Sequence, residues 1–262
     1  MPVRYVPDWD SLDLAACPGD CPVAFCADLS PRRVLGAYQH GIIPFPAANE
    51  YLRSINEFRY EEQVAAGLIS LVGDTQGDPY WAAWWSPDPR PVLRTGAIHL
   101  GRNARKQLRR APEWTTTAGS AFRRVAEECR AGREPRWLTD PLLETMTQLH
   151  RDGWAHSVEV WREGELIGGA LGIGAGRTLS GDSLFSLRPD AGRVAVADMA
   201  ARLAEAGGLL IDAQWDSPFL RSLGAELIPR ERYLRQLAGA AERTALPRQP
   251  LPAQRLIGGQ RT

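Results

Sequence analysis

The sequence predicts an α+β protein. A small N-terminal α+β domain precedes a second domain in which helices pack on a mostly antiparallel sheet. Three observations predict it. Residues 157–185 switch to period two, with Gly164-Glu165 and Gly174-Ala175-Gly176 as turns, the pattern of a three-strand meander. An alanine-rich helical stretch, residues 190–206, then stops at Gly207-Gly208 and leads into the short apolar run Leu209–Gln214. Finally, 262 residues that are 44% apolar and 24% charged supply one large core or two small ones.

Element by element, Ser30-Pro31 reads as an N-cap followed by proline at the first helical position, with the helix running to about His40 and stopping at Gly41. Residues 49–72 carry mixed helical periodicity and predict one helix, ended by Gly73-Asp74. Tyr80-Trp81 and Trp84-Trp85 form an aromatic cluster closed by Ser86-Pro87-Asp88-Pro89-Arg90. Short helices are expected over 101–111, 118–130, 138–152 and 217–223. The order helix–helix, meander, helix, strand, helix resembles that of an N-acetyltransferase-like (GNAT) fold. The expected domains are 1–95, with a helical insert at about 47–80, and 96–240; the Pro-, Gln- and Arg-rich tail 241–262 is expected to be disordered.

Composition excludes several classes. Glycine and proline lack periodicity, so the chain is not collagen-like, and no run of 18 apolar residues offers a transmembrane helix. The start MPVRYVPDWDSLDL lacks the apolar region of a secretory signal, so a cytoplasmic location is expected. Cys17, Cys21, Cys26 and Cys129 lack C-x-x-C spacing and are expected to be reduced structural thiols; no metal or other cofactor is expected.

Net charge is zero but uneven: residues 94–136 hold ten Arg and one Lys against four Glu, and residues 137–220 six Arg against twelve acids. A basic segment beside an acidic one suggests two ligands of opposite sign; alternating solvated patches are the plainer alternative. Within the basic segment Arg102, Arg105, Lys106 and Arg109 stand at i, i+3, i+4 and i+7 and share a helix face, with Ala104, Leu108 and Ala111 opposite. Four cations without an interleaved acid repel one another unless an anion compensates, and a stripe of two turns, ~10 Å, suits a nucleic-acid backbone.

Three further constellations carry chemistry. Nine tryptophans are many for this length; tryptophan faces stack on unpaired bases, although most are expected in the core. Asp182, in Ser180-Gly181-Asp182-Ser183-Leu184-Phe185-Ser186, puts a carboxylate on a core strand, where it needs a partner: a substrate ammonium or backbone amides. Asp212 and Gln214, at i and i+2 of a short strand, are expected to point to one face, where the carboxylate would orient the amide. No phosphate-binding loop, nucleophile elbow or HExxH appears, and no Cys–His pair is suggested, which favours a reaction whose substrate arrives activated.

Six strings in order, residues 36–44, 84–90, 155–161, 181–186, 211–214 and 222–230, closely resemble the leucyl/phenylalanyl-tRNA–protein transferase family, over roughly 25–46 and 81–237. The resemblance implies an acetyltransferase-like catalytic domain and transfer of an aminoacyl group from charged tRNA to an acceptor amine. That amine is usually the N-terminus of a protein beginning with Arg or Lys, which is thereby marked for degradation. It also implies roles. The Arg102/Arg105/Lys106/Arg109 face would hold acceptor-stem phosphates, and Trp85 and Trp137 would lie near the terminal adenosine and aminoacyl group. Ala170, Leu179, Leu184, Val196, Met199, Leu203 and Ile211 would form the side-chain pocket. Asp212 and Gln214 would stand at the reacting ester, Gln214 orienting the amine or stabilising the oxyanion, and Asp182 would stand near the acceptor amine. A monomer is expected.

The sequence also departs from the family's pattern. Asp182 and Leu184 stand where Glu and Met are usual, Arg193 replaces a lysine-type motif, Phe219 replaces a histidine, and the acidic insert 47–80 is additional. Three other readings follow: a divergent relative that aminoacylates a small-molecule amine, an acyl-CoA N-acetyltransferase, and a non-catalytic tRNA-binding module. The second is disfavoured because Arg188–Arg193 does not supply a pyrophosphate loop, and the third because Asp212 and Gln214 are both present.

Overall fold

In a computed structural model, which describes residues 3–73, 77–237 and 241–258, the chain builds two sheets. The N-terminal part contributes β1 (Tyr5–Val6), β2 (Ala24–Phe25), α1 (Pro31–Gln39), β3 (Ile43–Pro46), α2 (Glu50–Ala65), β4 (Ser70–Val72) and β5 (Ala82–Trp85). Its five strands lie in the order β1-β4-β2-β5-β3. Pro31 opens α1, and Gly41, with φ of 72°, turns the chain out of it into β3.

The insert differs from expectation. Its helix starts at the Asn49 cap, whose side chain accepts from the Leu52 amide, but ends at Ala65 rather than near 72. Gly67, at φ of 71°, breaks it, and the alternating Ser70-Leu71-Val72 that follows slots as β4 between β1 and β2, parallel to both. Ile69 and Val64 pack with Phe25 and Ala83. The insert is therefore part of the sheet and its core, not an excursion from them. The expected stop at Asp74 lies outside the described residues.

The larger sheet is built from β6 (Arg90–Arg94), β7 (Trp114–Ala118), β8 (Ala155–Arg162), β9 (Glu165–Ala175), β10 (Thr178–Ser186), β11 (Leu210–Asp212), β12 (Glu226–Ile228) and β13 (Leu251–Pro252). Interleaved are α3 (Gly101–Arg110), α4 (Phe122–Arg130), α5 (Asp140–Arg151), α6 (Ala191–Glu205), α7 (Pro218–Ser222), α8 (Arg230–Gln236) and α9 (Arg255–Gly258). The strand order is β12-β6-β11-β10-β9-β8-β7-β13, and among these neighbours only β10 and β11 run parallel. The meander β8-β9-β10 falls where the period-two pattern placed it. Helices α4 and α5 share a core with the N-terminal sheet, while α3 and α6 pack with Val158, Ile167 and Leu179 in another.

Three boundaries depart from the sequence reading. β6 lies before residue 95 yet hydrogen-bonds β11 and β12, so the larger sheet begins inside the segment assigned to the N-terminal domain. β7 precedes α4, which starts only at Phe122. The described part of the tail, 241–258, is ordered, whereas 259–262 lie outside the described residues: β13 pairs β7, Ala253 is fully buried, and Arg255 meets Asp198 at 2.5 Å. Its polar composition concealed Leu246, Ala253 and Leu256, three apolar residues spaced to fill one core.

Candidate active site

The site forms where β10 and β11 run side by side. Their register places Ser180 beside Asp212. Beyond that point both strands lose regularity: β10 shifts register between Gly181 and Ser183, which takes Asp182 out of alternation, and the chain after β11 turns at Gln214, a non-glycine residue at φ of 62°. A left-handed glutamine is costly and persists only where its surroundings fix it. Asp212 does so by accepting the Gln214 backbone amide at 2.9 Å. It thus positions the backbone of Gln214 rather than orienting its side chain directly, and the two side chains do not share a strand face.

The Gln214 side chain is held elsewhere. Its Nε2 donates to Ser180 Oγ at 2.9 Å and to Asp182 Oδ1 at 2.5 Å. Asp182 Oδ1 also accepts from Tyr38 Oη at 3.0 Å and from Ser180 Oγ at 3.1 Å. Its Oδ2 is shielded from solvent and has no hydrogen-bond partner among the described residues. Burial, with the nearby Asp212 charge, pushes the Asp182 carboxyl up to about 8 against the opposing hydrogen bonds, and pushes Tyr38 well above its ordinary value.

Asp212 is fully buried and ion-paired with Arg90, whose Nε lies 3.1 Å from Oδ1. The Arg90 guanidinium donates to the Gly41 carbonyl at 2.6 Å and lies 4.6 Å from the Tyr233 ring centre, and Tyr233 in turn hydrogen-bonds Asp212. Burial pushes the Asp212 carboxyl up, with Arg90 opposing. The pair ties β6, β11, α8 and the end of α1 together under the Gln214 turn.

A cavity of about 370 Å³ opens beside these groups. Ala170, Leu184, Val196, Met199 and Ile211, five of the residues expected to form an aminoacyl pocket, line it together with Asp182, Gln214, Trp215 and Phe219. Leu179 and Leu203 do not reach it; both are fully buried in the core behind. Trp85 stands outside it and packs edge-on against Trp215, with ring centres 5.4 Å apart. Trp137 is partly buried against the N-terminal core and is not among the cavity's lining. The basic face is as expected: Arg102, Lys106 and Arg109 are exposed, Arg105 is half-buried, and Ala104 and Leu108 are buried. Arg193 and Phe219 prove to be neighbours, the guanidinium 5.2 Å from the ring.

The sequence reading missed Tyr38, Arg90, Ser180, Tyr233 and Trp215 as site residues. Tyr38 bonds a residue 144 positions away, and no local pattern connects the two.

Comparison with known proteins decides the family. The family model described as Leucyl/phenylalanyl-tRNA protein transferase matches residues 92–238. A leucyl/phenylalanyl-tRNA–protein transferase of Xanthomonas campestris pv. campestris (strain B100) is 38% identical over 232 residues, 87% of this chain and 80% of that protein. The chain belongs to the leucyl/phenylalanyl-tRNA–protein transferase family. A second transferase so named, from Myxococcus xanthus (strain DK1622), is 39% identical over 222 residues, 83% of this chain and 82% of its own length. Among solved structures, a GCN5-related N-acetyltransferase from Kribbella flavida is similar over 55% of this chain and 54% of its own, at 15% identity and a TM-score of 0.35. Within the transferase, the matched segment runs from β6 to just past α8 and contains Asp182, Asp212, Gln214 and the cavity, whereas Tyr38, Trp85 and Arg90 precede it.

Proposed function

We propose that this transferase moves the aminoacyl group of a charged tRNA onto the N-terminal α-amine of an acceptor protein that begins with a basic residue. The supporting observation is the state of the Gln214 amide. Both Nε2 hydrogens are taken, by Asp182 and Ser180, so the amide has no donor left for an oxyanion and its Oε1 is the group free to act. Oε1 would accept a hydrogen from the attacking amine and aim its lone pair at the ester carbonyl. The new N–C bond then forms as the C–O bond to the ribose breaks, and the proton shed by the amine ends on the departing ribose hydroxyl. The ester supplies the driving force, and the protein supplies orientation.

The aminoacyl side chain would fill the cavity walled by Ala170, Leu184, Val196, Met199 and Ile211. The Asp182 carboxyl, part of the cavity's lining, would meet the acceptor's positive charge. Asp212 and Arg90 act as positioning residues for the Gln214 turn. Trp85, backed by Trp215, would stack on the terminal adenosine, and the exposed face of α3 would hold acceptor-stem phosphates. A charged-tRNA substrate places the reaction in the cytoplasm, and the product would be routed to degradation.

Transfer of labelled amino acids from a total charged-tRNA pool tests this reading, with peptides that begin with Arg or Ala as acceptors and an extract of small molecules in parallel. Label on the Arg peptide and not on the Ala peptide is the expected result. Label on small molecules alone would overturn the protein-acceptor assignment.

A further inference from the structure

A second cavity, of about 230 Å³, lies where β7 ends and β8 begins, walled by the chain that follows Thr244. Its lining includes His150, His156, Arg243 and Arg248 and, among the described residues, no carboxylate. Among the described residues neither arginine has an ion-pair partner: Arg248 donates only to the Gly119 carbonyl, at 2.5 Å, and Arg243 lies 5.4 Å from the Trp154 ring centre. His156 Nε2 is buried without a hydrogen-bond partner. Glycine at 174 makes room for that imidazole, since a Cβ there would stand 3.1 Å from Nε2. His150 is stacked flat on Phe122, and its Nδ1 lies 2.8 Å from the Ala155 carbonyl. A carbonyl only accepts, so Nδ1 carries the hydrogen and Nε2 is left uncommitted. His150 and Arg248 converge on Gly119, where a Cβ would meet both at 3.0–3.1 Å.

We propose that this cavity binds a small oxyanion of the phosphate class, gripped by Arg243 and Arg248 and hydrogen-bonded by His156. Convergent cations with no acid among them are self-repulsive, and an oxyanion offers acceptors to the guanidinium forks and to the orphaned imidazole together. The size suits such a ligand, because the cavity falls below the ~300 Å³ at which organic-ligand pockets begin. Burial and the charges of His150 and Arg248 push the His156 imidazole down to about 4, so the lining itself acts against further positive charge. The phosphate would be free in solution or part of a polynucleotide backbone.

The test follows the imidazole NMR signals of the full chain at constant ionic strength, with inorganic phosphate, deacylated tRNA or chloride added. Saturable movement of the His150 and His156 signals with inorganic phosphate is expected, and chloride should leave them in place. Arg243→Gln with Arg248→Gln should weaken phosphate binding about tenfold or more. Both arginines are exposed, so this variant tests binding rather than folding. Movement with tRNA alone would assign the site to a backbone phosphate. Still signals with both probes, an equal response to chloride, or a variant that titrates as the parent does would overturn the proposal.

Discussion

Two carboxylates hold Gln214, Asp212 by its backbone amide and Asp182 by its side-chain amide, and their surroundings differ in charge. Asp212 has a cation, Arg90, held in the core at 3.1 Å. Asp182 has three neutral donors on one oxygen, none on the other, and no cation at ion-pair distance among the described residues. Each has a buried second oxygen without a hydrogen-bond partner among the described residues, but a carboxylate with its own guanidinium is balanced in charge and serves the fold. One organised by neutral donors alone lacks a compensating charge, and a substrate ammonium would supply it. Burial raises both pKa values; only the missing cation separates a positioning group from a binding group.

The first way to break this contrast is to remove the cation from the Asp212 side. Arg90→Met should cost about 3–5 kcal/mol of stability, because it leaves a buried carboxylate unpaired. Adding Asp212→Asn in that background should recover most of the loss, as read from urea midpoints. If Arg90→Met alone unfolds no earlier than the parent, the pair does not hold the turn. The next largest effect belongs to the group the two carboxylates position between them. Gln214→Ala should lower kcat about 100-fold while charged-tRNA affinity stays level, the signature of a lost orientation rather than a lost contact. Equal loss in tRNA affinity would place Gln214 on the tRNA side.

How much of this was legible depended on whether the determinants were local. The meander, α1, α6 and the basic face were readable because period, caps and glycine stops act within a few residues. The strand β4 was not, since Leu68–Val72 follows a helix so closely that helical and strand periods blur; only the gap between β1 and β2 selects the strand. The ordered tail was hidden by composition, its three buried apolar residues diluted among Pro, Gln and Arg. At the site, Asp182, Asp212 and Gln214 stood out as polar residues in apolar strands, but their wiring did not. The expected Asp212–Gln214 side-chain pairing rested on regular alternation, and the turn at Gln214 ends it. Tyr38 and Arg90 are placed by packing between distant segments, which no local pattern records.

On the Asp182 side the contrast predicts a smaller effect, carried by pH. The folded carboxyl titrates near 8, well above the unfolded value of about 3.9. Between these values the folded chain holds the extra proton, so stability should fall as pH rises from about 4 to 8. Asp182→Asn should flatten that slope. It should also raise the acceptor KM about tenfold for an Arg-N-terminal peptide, with little change for the aminoacyl-tRNA. A variant that keeps both the slope and the acceptor KM would make Asp182 a structural residue like Asp212.

The smallest effect is expected where charge is neither buried nor paired by design. Arg102 and Lys106 are exposed on α3, and singly each contributes little to the fold. Their expected contribution is to counterion release, so Arg102→Gln with Lys106→Gln should lower the slope of log affinity for charged tRNA against log salt by about 1–2. Unfolding midpoints should not move, in contrast to Arg90→Met. The same element, arginine, is thus tested in its two settings: buried against Asp212, where its loss is read in stability, and solvated on α3, where it is read in the salt dependence of binding. An unchanged salt slope would remove the α3 face from the tRNA path and leave its charge as a solvated surface.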